Sequence, residues 1–432
     1  MKRVGLVRKQ FLTKDRIRDI IRYLCRAEKR HKWTKAMKKN WSLFLSEEEK
    51  NVDFIYNSLL RREYKFSPFN IFKRYENGKE RIIYASNPMD QVVDTLLDHC
   101  LKYIFMEKKK IVHPNAYGSI VGKGQHELRE KIIKLIKRKG EDWYVGICDT
   151  KKYYPTINHE IMKSYIRQHV KDQWVIWLVD ETIERMDTVG MALGLATSNI
   201  LGHVYHAAID WYMMTQQGER YYYRFCDDKI ILGKSKHRIR DAIFELKRLT
   251  IENGQTLKPT WKVVNPAKEG VEFLGAYITP KAARLKTSSR RRIERRFRLE
   301  LKKEFNYESR EDRERVIRSH AGIMGGLRGL DVKGLIKYWT VHPLYKEFFR
   351  RVRVAKGWKI MDKNNLDYNP VPQRVKDFVD LLKNQDSRLK AILISEGDPT
   401  TVLYPSIHID PLNLVNTLNN GKLVINCSKE EN

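Results

Sequence analysis

Two acidic motifs stand 78 positions apart: Asp149 opens Asp-Thr-Lys-Lys-Tyr-Tyr-Pro, and Asp227-Asp228 sit inside Tyr-Arg-Phe-Cys-Asp-Asp-Lys-Ile-Ile-Leu. Each acid borders an apolar, β-prone run, Trp143 to Cys148 before the first, Tyr221 to Phe225 and Ile230 to Leu232 around the second. Carboxylates at such positions are costly unless a cation neutralises them. Three hard oxygen donors with few nitrogen or sulfur partners point to Mg²⁺. Three strand-borne aspartates holding two Mg²⁺ ions meet the requirement of nucleotidyl transfer, and predict a nucleic acid polymerase. Cys148 and Cys226, which precede the two motifs, read as small buried filler rather than catalytic thiols.

The elements that must position these acids follow from pattern. Residues 1–50 read as a basic helical region, and Ser46 before Glu47-Glu48-Glu49 reads as the N-cap of a helix through Leu60. Asn77-Gly78 between two alternating runs predicts a hairpin pairing Phe69–Arg74 with Lys79–Tyr84. A helix follows from Gln91 to about Met106, and another occupies roughly 125–138. The acids then fall in a strand (143–149), two helices (158–170 and 172–186), a Gly-punctuated turn (190–194), a helix (197–216) and a hairpin centred on Asp227-Asp228. A helix from Arg238 stops at Asn253-Gly254, a strand or hairpin spans 270–278, and a strongly basic helix runs from Ser288 to about Asn306. Phe297 and Phe305 in that helix are expected to face a core.

Composition bounds the partners. The 432 residues carry a formal charge of +31, far beyond what solubility needs, so a polyanion is implied and nucleic acid is the default. The charge is uneven: residues 371–432 hold seven Lys/Arg against eight Asp/Glu, while the first fifty hold sixteen against six. No apolar run of about 18 residues, lipidation signature or signal peptide is evident, so no membrane partner is expected. Five scattered cysteines without a C-x-x-C pair argue against zinc and disulfides and fit a cytoplasmic setting.

The order and spacing of these segments resemble bacterial reverse transcriptases, over about Phe69 to Ile278. That group spans group II intron, retron, diversity-generating retroelement and defence-associated enzymes. Asp149-x-Lys-x-Tyr-Tyr-Pro matches the family's first acidic motif, Gly194-Leu-Ala-Thr-Ser198-Asn199 a second block, and Phe225-Cys-Asp227-Asp228 its Tyr-x-Asp-Asp box. Gly270-Val-Glu-Phe273-Leu274-Gly275 is similar to the primer grip. Three departures stand out: Phe225 replaces the usual tyrosine, Leu193 a frequent glutamine, and Asn199 the retroviral proline. The last two tilt away from the retroviral branch.

The resemblance implies an α+β right hand: fingers over 51–142, a palm with antiparallel sheet over 143–280, and a helical thumb over 281–370. The basic region 1–50 precedes them and a near-neutral extension, 371–432, follows. It implies that Asp149 and Asp227 ligate both metals beside the Thr150 carbonyl, with Asp228 a weaker candidate that orients the site. Tyr154 would lie under the incoming sugar and exclude a 2′-hydroxyl, with a core tyrosine as the bland alternative. Lys79 and Arg81 on the hairpin would meet the triphosphate, Gly194 would border it, and Lys123 in the Gly118–Gly124 loop would contact phosphate. Lys262 matches the general acid for pyrophosphate, with Lys258 a close rival. Phe273, Leu274 and Gly275 would hold the primer, and Arg290, Arg291, Arg292, Arg295 and Arg296 would track an RNA–DNA hybrid by its phosphates.

The expected activity is RNA-directed DNA synthesis with two Mg²⁺ ions from dNTPs, a structured non-coding RNA serving as template or scaffold and cDNA as product. A bacterial antiphage setting is favoured over a diversity-generating retroelement. The alternative of another class is a catalytically inactive RNA-binding module on a polymerase scaffold. Self-association into a homo-oligomer is left open.

Overall fold

A computed structural model describes residues 3–26, 34–76, 79–186 and 189–302, scattered positions between 316 and 332, and strand backbone at 414–419 and 422–427. The chain divides into two compact units, Met1–Ala282 and Ala283–Asn432.

The first unit opens with helices α1 (Val7–Phe11), α2 (Lys14–Leu24), α3 (Lys35–Ser46) and α4 (Glu48–Arg61). Thr13 caps α2 by accepting from the Arg16 amide. Ser46 is not the N-cap expected of it: its hydroxyl donates back to the Leu43 carbonyl, so it closes α3 and Glu47 precedes α4. Strands β1 (Asn70–Glu76) and β2 (Lys79–Ala85) pair antiparallel from Asn70↔Ala85 to Glu76↔Lys79, the register that the Asn-Gly signal predicts. The turn residues themselves lie outside the described set.

Helix α5 (Pro88–Lys102) starts with Asn87 as cap and Pro88 in its first turn, and runs into a π turn, Tyr103–Lys108. Beyond it come β3 (Ala116–Tyr117), α6 (Gln125–Lys139), β4 (Tyr144–Asp149), α7 (His159–His169), α8 (Gln173–Ile183) and α9 (Thr197–Thr215). Then follow β5 (Tyr222–Phe225), β6 (Asp228–Gly233), α10 (Lys236–Glu252), β7 (Lys262–Val264), and a hairpin of β8 (Val271–Phe273) and β9 (Ala276–Ile278). Gly254, at φ +73°, ends α10 as the Asn-Gly pair predicts.

The central sheet has the order β3-β5-β6-β4-β7, antiparallel except for the parallel β3–β5 pair. Helix α9 is buried nearly all round, and with α10 it backs one face of this sheet. The amphipathic α1–α4 share one core with α5, α7, α8 and the start of α9, through Phe11, Trp41, Leu59, Leu96 and Trp174.

The second unit contains β10 (Ala283–Leu285), the basic helix α11 (Thr287–Lys302) and a hairpin of β11 (Leu414–Asn419) with β12 (Lys422–Cys427). Phe297 is 2% exposed, as expected, while Phe305 falls outside the described residues. Among the described residues, no helix is long and apolar enough to cross a membrane. The α+β composition expected from the sequence is the one observed.

Candidate active site

The period of two along a strand decides where the acids go. Asp149, the last residue of β4, is the register partner of Asp228, the first of β6. Ile147 pairs with Ile230 and Phe225 with Asp228, so the acids share a face with these side chains. Residues of the opposite parity, Tyr222, Arg224, Cys148, Lys229 and Ile231, point to the face backed by α9 and α10. Asp227 occupies the β5–β6 turn, and its carbonyl accepts the Thr150 amide at 3.2 Å, tying the two motifs together.

The turn is braced from below. Arg224, fully buried, reaches Asp210 of α9 through Nε (2.9 and 3.0 Å) and Nη2 (2.7 Å), while its Nη1 donates to the Cys226 carbonyl at 3.1 Å. Tyr222 adds its hydroxyl to Asp210 at 2.8 Å. Cys226 adopts φ +51° and donates its amide to the Tyr117 carbonyl. Gly118, at φ +97°, comes so close that a Cβ there would meet the Cys226 sulfur at 2.6 Å. The buried Lys229 ammonium donates to Thr150 Oγ1 and, at 3.2 Å, to the Asp227 carbonyl. Sequence reading missed Arg224, Asp210 and Lys229, although the first two are charged residues interrupting apolar runs and the third adjoins the acidic pair.

The site is electrostatically unfinished. Burial, then repulsion from Asp149, raises the Asp227 carboxyl. Burial, Asp227 and Asp149 together push Asp228 up to about 7. Asp149 Oδ2 pairs with the Lys258 ammonium, while its buried Oδ1 has no partner. Among the described residues no ion pair reaches Asp227 or Asp228, and no three His, Cys, Asp or Glu side chains stand ready as a metal-binding group. An orphaned carboxylate oxygen beside two acids that burial and mutual repulsion drive toward the neutral form fits a divalent cation in charge and donor type. Burial lifts Cys148 to about 12 and Cys226 to about 11, which favours the protonated thiol and fits their reading as small filler.

Of the two lysines, Lys258 is the one at the acids: its ammonium meets Asp149 and its amide donates to the Asp149 carbonyl at 2.8 Å. Lys262 stands exposed on the edge strand β7, opposite Ile147 and thus on the same sheet face as Asp149.

Tyr154 lies in a short 3₁₀ turn, mostly buried, its hydroxyl donating to Asn199 Oδ1 at 3.1 Å. Burial raises its phenol, with smaller contributions from Cys226 and Asp227, which puts the ring within electrostatic reach of the acidic turn. Asn199 thus serves as a partner for this tyrosine. Gly194, at φ +126°, packs against β2: a Cβ would meet the Tyr84 carbonyl at 2.7 Å, and the Tyr84 amide donates to Leu193. The second block is thereby stitched to the hairpin. Arg81 lies mid-strand on β2 opposite Arg74, while the side chain of Lys79 is outside the described residues.

Asp94 of α5 was also missed. It accepts from the Ala196 amide at 2.6 Å and the Thr197 hydroxyl at 2.5 Å, supplying the oxygen that Ala196 lacks as N-cap of α9. Its full burial pushes its carboxyl up to about 6.

Lys123 is held within the 118–124 loop. Its ammonium donates to the Pro114 carbonyl at 2.7 Å and stands over the Tyr117 ring, and burial lowers its pKa. The Pro114 contact braces its own loop.

Phe273 is buried, and Leu274 (φ 45°) with Gly275 (φ 77°) make the two-residue turn between β8 and β9. The Leu274 carbonyl accepts from Gln125 Nε2 at 2.9 Å, fixing the turn to the start of α6. In the second unit, Arg290 pairs with Glu294 at 2.8 Å and Arg296 donates to Ser319 at 2.5 Å. Arg291 and Arg295 line a cavity of about 350 Å³ with Glu294, Arg298 and Leu299, and Arg292 lies on the same helix. So the arginines of α11 divide between internal pairing and an open cationic row at i, i+4, i+7 spacing.

Residues 71–278 match the family model of reverse transcriptases, RNA-dependent DNA polymerases. No curated protein matches the chain. Among solved structures, the chain is similar to apo telomerase from Candida tropicalis truncated from its C-terminal domain, with 13% identity and a TM-score of 0.38 over 53% of this chain and 59% of that one. A second structure of apo telomerase from the same organism gives 11% identity and a TM-score of 0.38 over 52% and 49%. The chain spans between about half and three fifths of these telomerase chains.

Proposed function

We propose that the reverse transcriptase domain at residues 71–278 works as an RNA-directed DNA polymerase by two-metal nucleotidyl transfer. The observation that carries this is the pairing of Asp149 with Asp228 beside Asp227, with Asp149 Oδ1 buried and bare. Asp149, Asp227 and Asp228, with the Thr150 carbonyl, are the groups that would hold two Mg²⁺ ions. When bound, such ions lower the pKa of an attacking hydroxyl and neutralise the pyrophosphate leaving group.

The chain's own residues have separate tasks. Lys258 balances Asp149 in the free enzyme, and its contact with that acid supports reading it, ahead of Lys262, as the group that would donate a proton toward pyrophosphate. Tyr154, anchored by Asn199, presents a rigid ring near the acidic turn, which supports discrimination against ribonucleotides. Arg224 and Lys229 hold the turn by hydrogen bonds to the Cys226 and Asp227 carbonyls. Phosphates of the template–product hybrid are assigned to the open arginines of α11, and those of dNTPs to Arg81 and Lys79.

The template is read as a structured non-coding RNA and the setting as bacterial antiphage defence, supported by the basic charge and by Leu193 and Asn199, which depart from the retroviral pattern. Sequencing the RNA and DNA that co-purify with the chain tests this. One folded RNA with matching cDNA supports it, adenine-directed errors in a copied gene repeat point to a diversity-generating element, and RNA without cDNA favours a binding module.

A further inference from the structure

Arg185 belongs to none of the catalytic motifs, yet it makes the most demanding buried contacts outside the acidic site. It lies two residues beyond α8, with its side chain only 7% exposed. Its Nη2 donates to the Ser67 carbonyl at 3.0 Å and reaches Ser86 Oγ and Asp90 Oδ2, each at 3.3 Å. Ser67 precedes β1 and Ser86 immediately follows β2, so one nitrogen joins both feet of the hairpin. The guanidinium also stacks on Phe69, 3.7 Å from its ring centre, with Phe66 at 4.6 Å. Asp90 completes the node by accepting from the Tyr64 hydroxyl at 2.7 Å and the Ser67 amide at 3.1 Å.

The hairpin needs such a root. Its strands form a sheet of only two, tied at the base by the Tyr84–Leu193 bond and open to solvent on both faces beyond it, with Tyr75 73%, Ile71 63% and Phe72 50% exposed. A two-stranded ribbon of this kind is marginal alone, so its stance is dictated where it joins the body. Arg185 is a poor choice for stability: its Nε and Nη1 are buried without partners, a cost that an apolar side chain of similar volume would avoid. What only arginine offers is a flat cation that stacks on a ring while its edge bonds the Ser67 carbonyl at one foot and the Ser86 hydroxyl at the other.

We propose that Arg185 is a positioning residue that sets the stance of the β1–β2 hairpin and thereby nucleotide affinity. The proposal rests on the polymerase reading above. Arg81 is five residues from Ser86, roughly 16 Å along an extended strand. A tilt of about 10° at the root would therefore carry it ~3 Å, enough to spoil a phosphate contact while leaving the aspartates in place.

The test is steady-state dNTP incorporation by the full chain on a primed RNA template, with hydrogen exchange on the same proteins. Arg185→Lys keeps the charge but loses the plane; Phe69→Leu keeps the charge and loses the stacking partner. Both are expected to raise KM for dNTP about tenfold with kcat within about twofold and RNA affinity unchanged. Amides of β1 and β2 should exchange about tenfold faster, those of α9 at the wild-type rate. An unchanged KM, or a fall in kcat alone, overturns the proposal. Should Arg185→Lys fail to fold, Phe69→Leu decides by the same criteria. If the wild-type protein incorporates nothing, the polymerase reading fails separately, and unaltered hairpin exchange in the variants still refutes a root role for Arg185.

Discussion

Asp149 and Asp228 face each other as register partners at the end of the β4–β6 ladder, so the sheet itself fixes their separation. A side chain held on paired strands has fewer ways to adapt than one on a loop. Burial raises Asp228 first, and the added repulsion from Asp227 and Asp149 is built into the backbone, so a bound divalent cation would relieve it.

Replacing Asp227 and Asp228 by alanine should abolish cDNA synthesis, by roughly 10³-fold or more, because transition-state charge loses its metal. RNA affinity should stay near wild type, since backbone phosphates are bound by cationic side chains and these two are acids. Primer extension and filter binding on the same preparation check both parts; surviving synthesis would refute the metal assignment.

Asp228 also predicts a pH effect in metal-free protein. Its folded pKa of about 7 lies above the ordinary carboxylate value of 3.8, so the folded state binds its proton more tightly. This stabilising contribution is fully present below the unfolded value and is lost as pH rises through about 7. Asp228→Asn should therefore be more stable than wild type at pH 8 in a chelator, by on the order of 2 kcal/mol, with the advantage vanishing toward pH 4. Urea midpoints across that range provide the measurement.

The Arg224–Asp210 pair is fully buried, with side chains 0% and 1% exposed. Asp210→Asn leaves an uncompensated guanidinium and should cost about 3 kcal/mol, whereas Arg224→Met with Asp210→Leu should recover part of that loss. Denaturant unfolding of the single and double variants decides; additive losses would mean that the pair is not coupled.

Tyr154→Ala should let ribonucleotides in, lowering sugar discrimination by about a hundredfold through removal of the ring that blocks the 2′-hydroxyl. Competition between dNTP and rNTP measures this. Unaltered discrimination would leave Tyr154 as a packing residue anchored to Asn199.

RNA binding should fall steeply between low and moderate salt, because released counterions drive it. A salt titration reads the slope, and Arg291→Ala with Arg295→Ala should reduce it by about two. A flat response would count against an electrostatic interface.

The acids, the hairpins and most helices were legible because they depend on local rules: period two around Asp149 and Asp228, Asn77-Gly78 between alternating runs, and Gly254 after a helix. Ser46 misled because its hydroxyl had a competing carbonyl one turn back, at Leu43. Spacing alone did not rank Lys258 against Lys262, since the choice depends on how the 256–258 segment runs beside β4. Nor could it reveal that Lys123 donates to the Pro114 carbonyl, that Asp94 caps a helix 102 residues away, or that Arg185 grips both feet of a hairpin. By itself the sequence determined which chemistry the chain can carry, because side-chain type and strand alternation are written in order along it. Tertiary structure alone decided which charges meet, because partners distant in the chain are selected by packing, and packing has no local signature.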